Sequence, residues 1–182
     1  EPMTQREHVR EARFAPDGKR VVTASDDGSA RVWDSSTGKT VGDARTMTHA
    51  ARVLSADFSP DGKRLVTASE DRTVRVWDTE VTRVVGRPLI QGGAHAYLSP
   101  DGKSVVTAAL DTIRFWDVES GKLIGQPQKS AAVLCAAFTP NGERFIAALA
   151  DRTIRRWDTL AKPINAPVRI DGWPSSPTCL GH

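Results

Sequence analysis

Between residues 60 and 78 the chain reads PDGKRLVTASEDRTVRVWD, and its apolar and polar side chains change with a period of two. Leu65, Thr67 and Ser69 alternate with Val66 and Ala68, which predicts a strand whose two faces meet different surroundings. Pro60-Asp61-Gly62-Lys63 ahead of it predicts a tight turn, because proline presets one φ angle and glycine accepts the positive φ that reverses the chain. Asp71-Arg72-Thr73 predicts a second turn, and Val74, Val76 and Trp77 open another β-rich run that closes on Asp78. Two adjoining hairpins in so short a stretch predict an antiparallel meander.

The pattern occurs four times. Pro16-Asp17-Gly18-Lys19 leads to Trp33-Asp34, Pro60-Asp61-Gly62-Lys63 to Trp77-Asp78, Pro100-Asp101-Gly102-Lys103 to Trp116-Asp117, and Pro140-Asn141-Gly142-Glu143 to Trp157-Asp158. The aspartates at 34, 78, 117 and 158 recur every 39 to 44 residues. A repeat of that length ending in Trp-Asp resembles the blade of the WD40 family of β-propellers. The resemblance covers roughly residues 1–170. It implies an all-β chain of four four-stranded antiparallel blades and a style of binding, and names no ligand.

On this plan the blades span about 6–47, 48–91, 92–129 and 130–170. Glu1-Pro2-Met3-Thr4 lines up with Arg87-Pro88-Leu89-Ile90 and Gln126-Pro127-Gln128-Lys129, so residues 1–5 read as the outer strand of a preceding blade, and Gly172 to His182, within a tail over 171–182, restarts no repeat. In blade one the strands are expected at Arg10 to Phe14, Arg20 to Ser25, Ser29 to Trp33 and Thr40 to Ala44. Blade two is the best-formed copy. Blade three lacks the valine found at Val9, Val53 and Val133, and its Asp111 stands five residues before Trp116 where the other blades have six. Blade four replaces Thr-Ala-Ser by Ala147-Ala148-Leu149 and sets Arg156 where Val32, Val76 and Phe115 stand. Four such blades, with an outer-strand candidate at Pro163 to Val168, predict an open arc or a fragment of a larger ring. Its end faces would take further blades of the same chain or associate with each other.

Composition narrows the class without changing this picture. A hydrophobic fraction of 39% over 182 residues can build a real core, and no apolar run of about 18 residues could span a bilayer. The net charge of +3 is interspersed along the strands, and Cys135 and Cys179 suit neither a disulfide framework nor a metal site. The expected setting is cytoplasmic, with no membrane partner.

The resemblance implies a structural tetrad of histidine, hydroxyl, turn aspartate and tryptophan. Only blade two supplies all four, as His49, Ser69, Asp71 and Trp77; His8 and His95 do not match the histidine spacing. Histidine, serine and aspartate also invite a hydrolase reading, but the set recurs in part at the repeat spacing, as scaffold does, and there is no Gly-x-Ser-x-Gly, phosphate loop or HExxH. The expectation is no catalytic residue, no metal and no cofactor. Arg31, Arg75, Arg114 and Arg155 recur at one place in the third strand. On a propeller they would spread around the ring, so nucleic acid is not expected as a partner and a stem packed beside the tryptophan with its head in solvent is.

The family resemblance implies a non-catalytic scaffold for protein partners. The turns between second and third strands and the connections to the next inner strand fall on one face, which offers Asp26, Arg52, Glu70, Arg72, His95 and Arg152 on a fixed frame. The alternative is the regulatory or sensory portion of a larger signalling enzyme, since PDGKR-type repeats resemble those that follow a kinase or NTPase domain in bacterial chains.

Overall fold

A computed structural model describes residues 3, 5–42, 47–80, 83–90, 95–109 and 111–170. Among them all regular structure is β. Blade one holds β1 (Val9–Phe14), β2 (Arg20–Ser25) and β3 (Ala30–Asp34); blade two β4 (Val53–Phe58), β5 (Arg64–Ser69), β6 (Thr73–Asp78) and β7 (Arg83–Ile90). Blade three holds β8 (His95–Leu98), β9 (Ser104–Ala109), β10 (Thr112–Asp117) and β11 (Leu123–Lys129), and blade four β12 (Val133–Phe138), β13 (Arg144–Leu149), β14 (Thr153–Asp158) and β15 (Val168–Arg169). Within each sheet consecutive strands pair antiparallel, and the four sheets are arranged as the blades of a propeller.

Two expected outer strands differ. Along that of blade one the described residues form two bridges, Trp33 with Thr40 and Ser29 with Thr48, and residues 43–46 between them lie outside the described residues. That of blade four is a bridge from Trp157 to Pro163 followed by the two-residue β15. Of residues 1–5 only 3 and 5 are described, neither in a strand, and the tail 171–182 lies outside the described residues as well. β1, β4 and β12 each shift register just after their first valine; in blade three the matching position lies within 91–94, outside the described residues, and the described part of β8 pairs with β9 from His95 to Leu98.

The period-two pattern sorts side chains to opposite faces, and each face meets the neighbouring blade. Val22, Ala24 and Val32 on the rear of blade one pack with Phe58, Leu65 and Trp77 on the front of blade two. Val66, Ala68 and Val76 repeat the arrangement against Leu98, Val105 and Trp116, and Val106, Ile113 and Phe115 against Phe145, Leu149 and Trp157. Three cores thus lie between successive blades, and among the described residues none joins blade four to blade one. Phe14, the counterpart of Phe58 on the front of blade one, is 68% exposed where Phe58 is 6% exposed. At the other end, Ile146, Ala148, Ile154 and Arg156 on the rear of blade four are only partly buried.

Polar contacts repeat between blades too. The Arg20 guanidinium donates to the carbonyl of Gly62 at 3.1 Å and lies 5.5 Å from the centre of the Phe58 ring. The Arg64 guanidinium donates to the carbonyl of Gly102 in the same way. Each is a latch from the first residue of a second strand to the Pro-Asp-Gly turn of the next blade. At the outer edge, Gly86 and Gly125 adopt positive φ of 71° and 67° and press against the backbone of Val118 and of Leu160 in the next blade.

Candidate functional site

The polar frame begins with the tryptophans. The indole N–H of Trp33, Trp77 and Trp116 donates to the hydroxyl of Thr23, Thr67 and Thr107 at 2.8, 2.9 and 2.8 Å. The partner aspartate of the motif works elsewhere: Asp34 accepts from Ser36 and Thr37, Asp117 from Ser120 and Asp158 from the amides of Leu160 and Lys162. It therefore caps the turn that leads to the outer strand. Hydroxyl groups of Ser36 and then Thr37 hold the Asp34 carboxyl down to about 2.

Blade two completes the tetrad, with one member different from the expected set. The hydroxyl at its centre is Thr67, and Ser69 instead donates to the carbonyl of Ala51 and accepts from the Asp71 amide. The side chain of His49 is fully buried; its Nε2 lies 2.7 Å from the Thr67 hydroxyl and its Nδ1 3.1 Å from the Asp71 carboxylate. Burial lowers the histidine pKa, against the pull of Asp71, so the ring is neutral. Donation then runs one way: Trp77 N–H to Thr67, Thr67 O–H to Nε2, and Nδ1–H to Asp71. Burial opposes the charge on Asp71, but hydrogen bonds from the Thr73 hydroxyl and from the amides of Ala50 and Thr73 outweigh it and hold the carboxyl well below its usual range. Thr67 itself is 0% exposed. No substrate carbonyl can reach that hydroxyl, so this triad-like set is a strut between strands.

The other blades hold partial versions. Gln5 stands four residues before Val9 as His49 stands four before Val53, and its amide reaches the Ser29 hydroxyl at 3.4 Å. In blade four Ser130 takes the histidine's place, donating its amide to Asp111 as His49 donates to Gly28. Ala147 replaces the threonine, and a cavity of about 230 Å³ opens beside Trp157, lined also by Lys129, Arg155 and Arg156. Among the described residues no group of three or more His, Cys, Asp or Glu could hold a metal ion.

Three of the four recurring arginines do not leave their heads free in solvent. Arg31 pairs with Asp27 at 3.0 Å, Arg155 with Asp151 at 2.8 Å and Arg75 with Asp71 at 3.8 Å. Each cation stands four residues after the turn carboxylate, and Arg75 and Arg155 also donate to the carbonyls of Thr48 and Lys129.

At the turn end of the blades the face residues come together in part. Asp26 is paired with Arg10, which the sequence reading missed, through two hydrogen bonds of 2.5 and 2.9 Å. This pair lowers the Asp26 carboxyl and raises the Arg10 guanidinium. Next to it Arg52 and Glu70 stand 4.0 Å apart with side chains 52% and 47% exposed. Arg52 also acts on Asp26 and Glu70 on Arg10, so the four charges alternate across blades one and two. Arg72 and Arg152 occupy left-handed turn positions, φ 66° and 64°, where blade one has Gly28 at 78°. His95 is exposed at the start of β8, and residues 91–94 beside it lie outside the described residues.

The model of the WD40 family, described as WD domain, G-beta repeat, matches residues 2–34, 43–78 and 120–158, more than half of the chain. The chain belongs to the WD40 family. No curated protein matches it. The WD40 match passes over 79–119, the stretch that holds the shortened spacing between Asp111 and Trp116, although the structure builds β8, β9 and β10 there and pairs them with β11 as a fourth strand.

Proposed function

We propose that this WD40 chain is a non-catalytic scaffold that binds a protein partner through the turn end of blades one, two and four. WD40 propellers are generally interaction scaffolds, and the observation that carries the reading here is the set of alternating charges Arg10, Asp26, Arg52 and Glu70 on hydrogen-bonded turns. Backbone bonds from Asp26 to His8 and from Glu70 to Arg52 tie each turn to the connection beside it, so the charges are presented with little ordering left to lose on binding. The Arg52 and Glu70 pair is exposed and long, and such a pair contributes at most about 1 kcal/mol to the fold. Both charges are thus available to a partner that offers complementary groups, with Arg72 and Arg152 extending the face. Buried struts behind it keep the frame rigid without exposing a reactive group.

The test is quantitative affinity capture with the full chain beside a variant carrying Arg52→Glu, Glu70→Arg and Arg72→Asp. The expected result is a defined set of proteins lost at least about tenfold from the variant while its melting curve is unchanged. Identical capture by both would overturn the reading.

A further inference from the structure

The two ends of the blade row carry matching halves of the latch that joins blade one to blade two and blade two to blade three. Arg144 begins β13 as Arg20 begins β2 and Arg64 begins β5, but it is exposed, and among the described residues its guanidinium has no partner. Its counterpart would be the carbonyl of a Pro-Asp-Gly turn. Among the described residues that of Gly18 accepts only the Ser35 hydroxyl, at 3.0 Å, where Gly62 accepts Thr79 and also Arg20. Gly62 and Gly102 are buried, each with an arginine side chain 2.8 Å from where a Cβ would stand, whereas Gly18 is exposed with nothing within 4 Å. The apolar faces agree with the latches. Phe14 is open on the front of blade one, and Ile146, Ala148 and Ile154 are partly open on the rear of blade four, at the positions that hold Val22, Ala24 and Ala30 in the first core.

We propose that the rear of blade four receives the front of blade one of a second copy of this chain, with Arg144 latched to the Gly18 carbonyl and Phe14 seated against Ala148 and Ile154. The contact continues an interface whose apolar core the molecule already builds three times between its own blades, twice with the arginine latch. It is head-to-tail, so two copies joined at both ends close an eight-blade ring and leave no open face. It uses sheet faces and not the charged turn end, so it stands or falls apart from the partner-binding reading.

Light scattering of the full chain should give about 39 kDa, twice the 19.7 kDa of one chain. Phe14→Asp blocks only the front, at an exposed position, and Arg144→Glu with Ala148→Asp blocks only the rear. Each variant alone should associate at least about tenfold more weakly, and mixing the two should restore a one-to-one pair, since one good rear then meets one good front. Circular dichroism and melting curves confirm that both variants remain folded. A wild-type chain that stays monomeric at high concentration, or a mixture that forms no pair, would overturn the proposal. So would a variant that still pairs with itself, which would mean like faces meet.

Discussion

At the scale of single residues, Asp71 is the side chain on which most depends. It accepts from His49, from the amides of Ala50 and Thr73 and from the Thr73 hydroxyl, while Asp111 in blade three is exposed and accepts from the Thr112 hydroxyl. Asp71→Ala is therefore expected to cost about 2 to 4 kcal/mol, because four donors, the buried His49 ring among them, lose their acceptor together, and Asp111→Ala under about 1 kcal/mol. Urea unfolding of the two variants in parallel checks this; equal losses would mean the tetrad adds nothing. Asp57 works in the opposite sense. Burial raises its carboxyl to about 6, with the positive Arg13 opposing and the negative Glu11 assisting. A carboxyl whose folded pKa is raised contributes stability below its unfolded value near 4, and that contribution is lost as pH rises through about 6. Asp57→Asn, which keeps an oxygen for the Phe58 amide, should then stabilise the chain at pH 7 by on the order of 1 to 3 kcal/mol and by little at pH 4. Unfolding midpoints at the two pH values give the difference. The tryptophans and Asp71 were legible from the repeat, but Thr67 was not chosen over Ser69, because both hydroxyls alternate on the same strand. The discriminating signal was present in Thr23, Thr67 and Thr107, which recur nine or ten residues before their tryptophans.

At the scale of elements, turns and inner strands follow from the sequence closely because local chemistry specifies them. The Asp61 and Asp101 carboxylates accept from the second amide that follows, in Lys63 and Lys103, and Gly62 and Gly102 supply φ of 67°. Outer strands are less legible, since they pair only along one edge and their length depends on the neighbouring blade. Thr40 to Ala44 and Pro163 to Val168 carry strand-like composition, yet among the described residues they show only the bridges at Thr40 and Pro163 and the two-residue strand begun at Val168. The outer strand of blade two shows what sets the limit: at Gly86 a Cβ would fall within contact distance of the Val118 carbonyl oxygen, and the φ is left-handed as well. Gly86→Ala is expected to cost about 3 kcal/mol or more, as backbone cannot move aside the way a side-chain tip does. Gly18→Ala meets no atom within 4 Å and should cost only the φ strain, about 1 kcal/mol. Thermal melts of the two variants separate crowding from strain; equal shifts would place the whole cost in φ.

At the scale of the whole molecule, the fourfold repeat predicted the blades and their order, but not which charges would meet. Arg10 with Asp26, and the arginines with their turn carboxylates, are partners fixed by the geometry of paired strands, which a linear pattern does not display. The three separate cores have a thermodynamic consequence. Each core touches only two blades, so free energy passes along the row by nearest-neighbour steps, as in a one-dimensional chain of coupled units. Val66→Ala and Val105→Ala, which share the second core, should be non-additive by about 0.5 kcal/mol or more, because one side chain can settle into the space left by the other. Val22→Ala in the first core and Phe145→Leu in the third should add to within about 0.5 kcal/mol. A double-mutant cycle on each pair measures both. If the distant pair couples as strongly as the near one, the molecule is a single cooperative block; if not, damage to one blade stays with its neighbours, and the blades can diverge in sequence as far as blade four has.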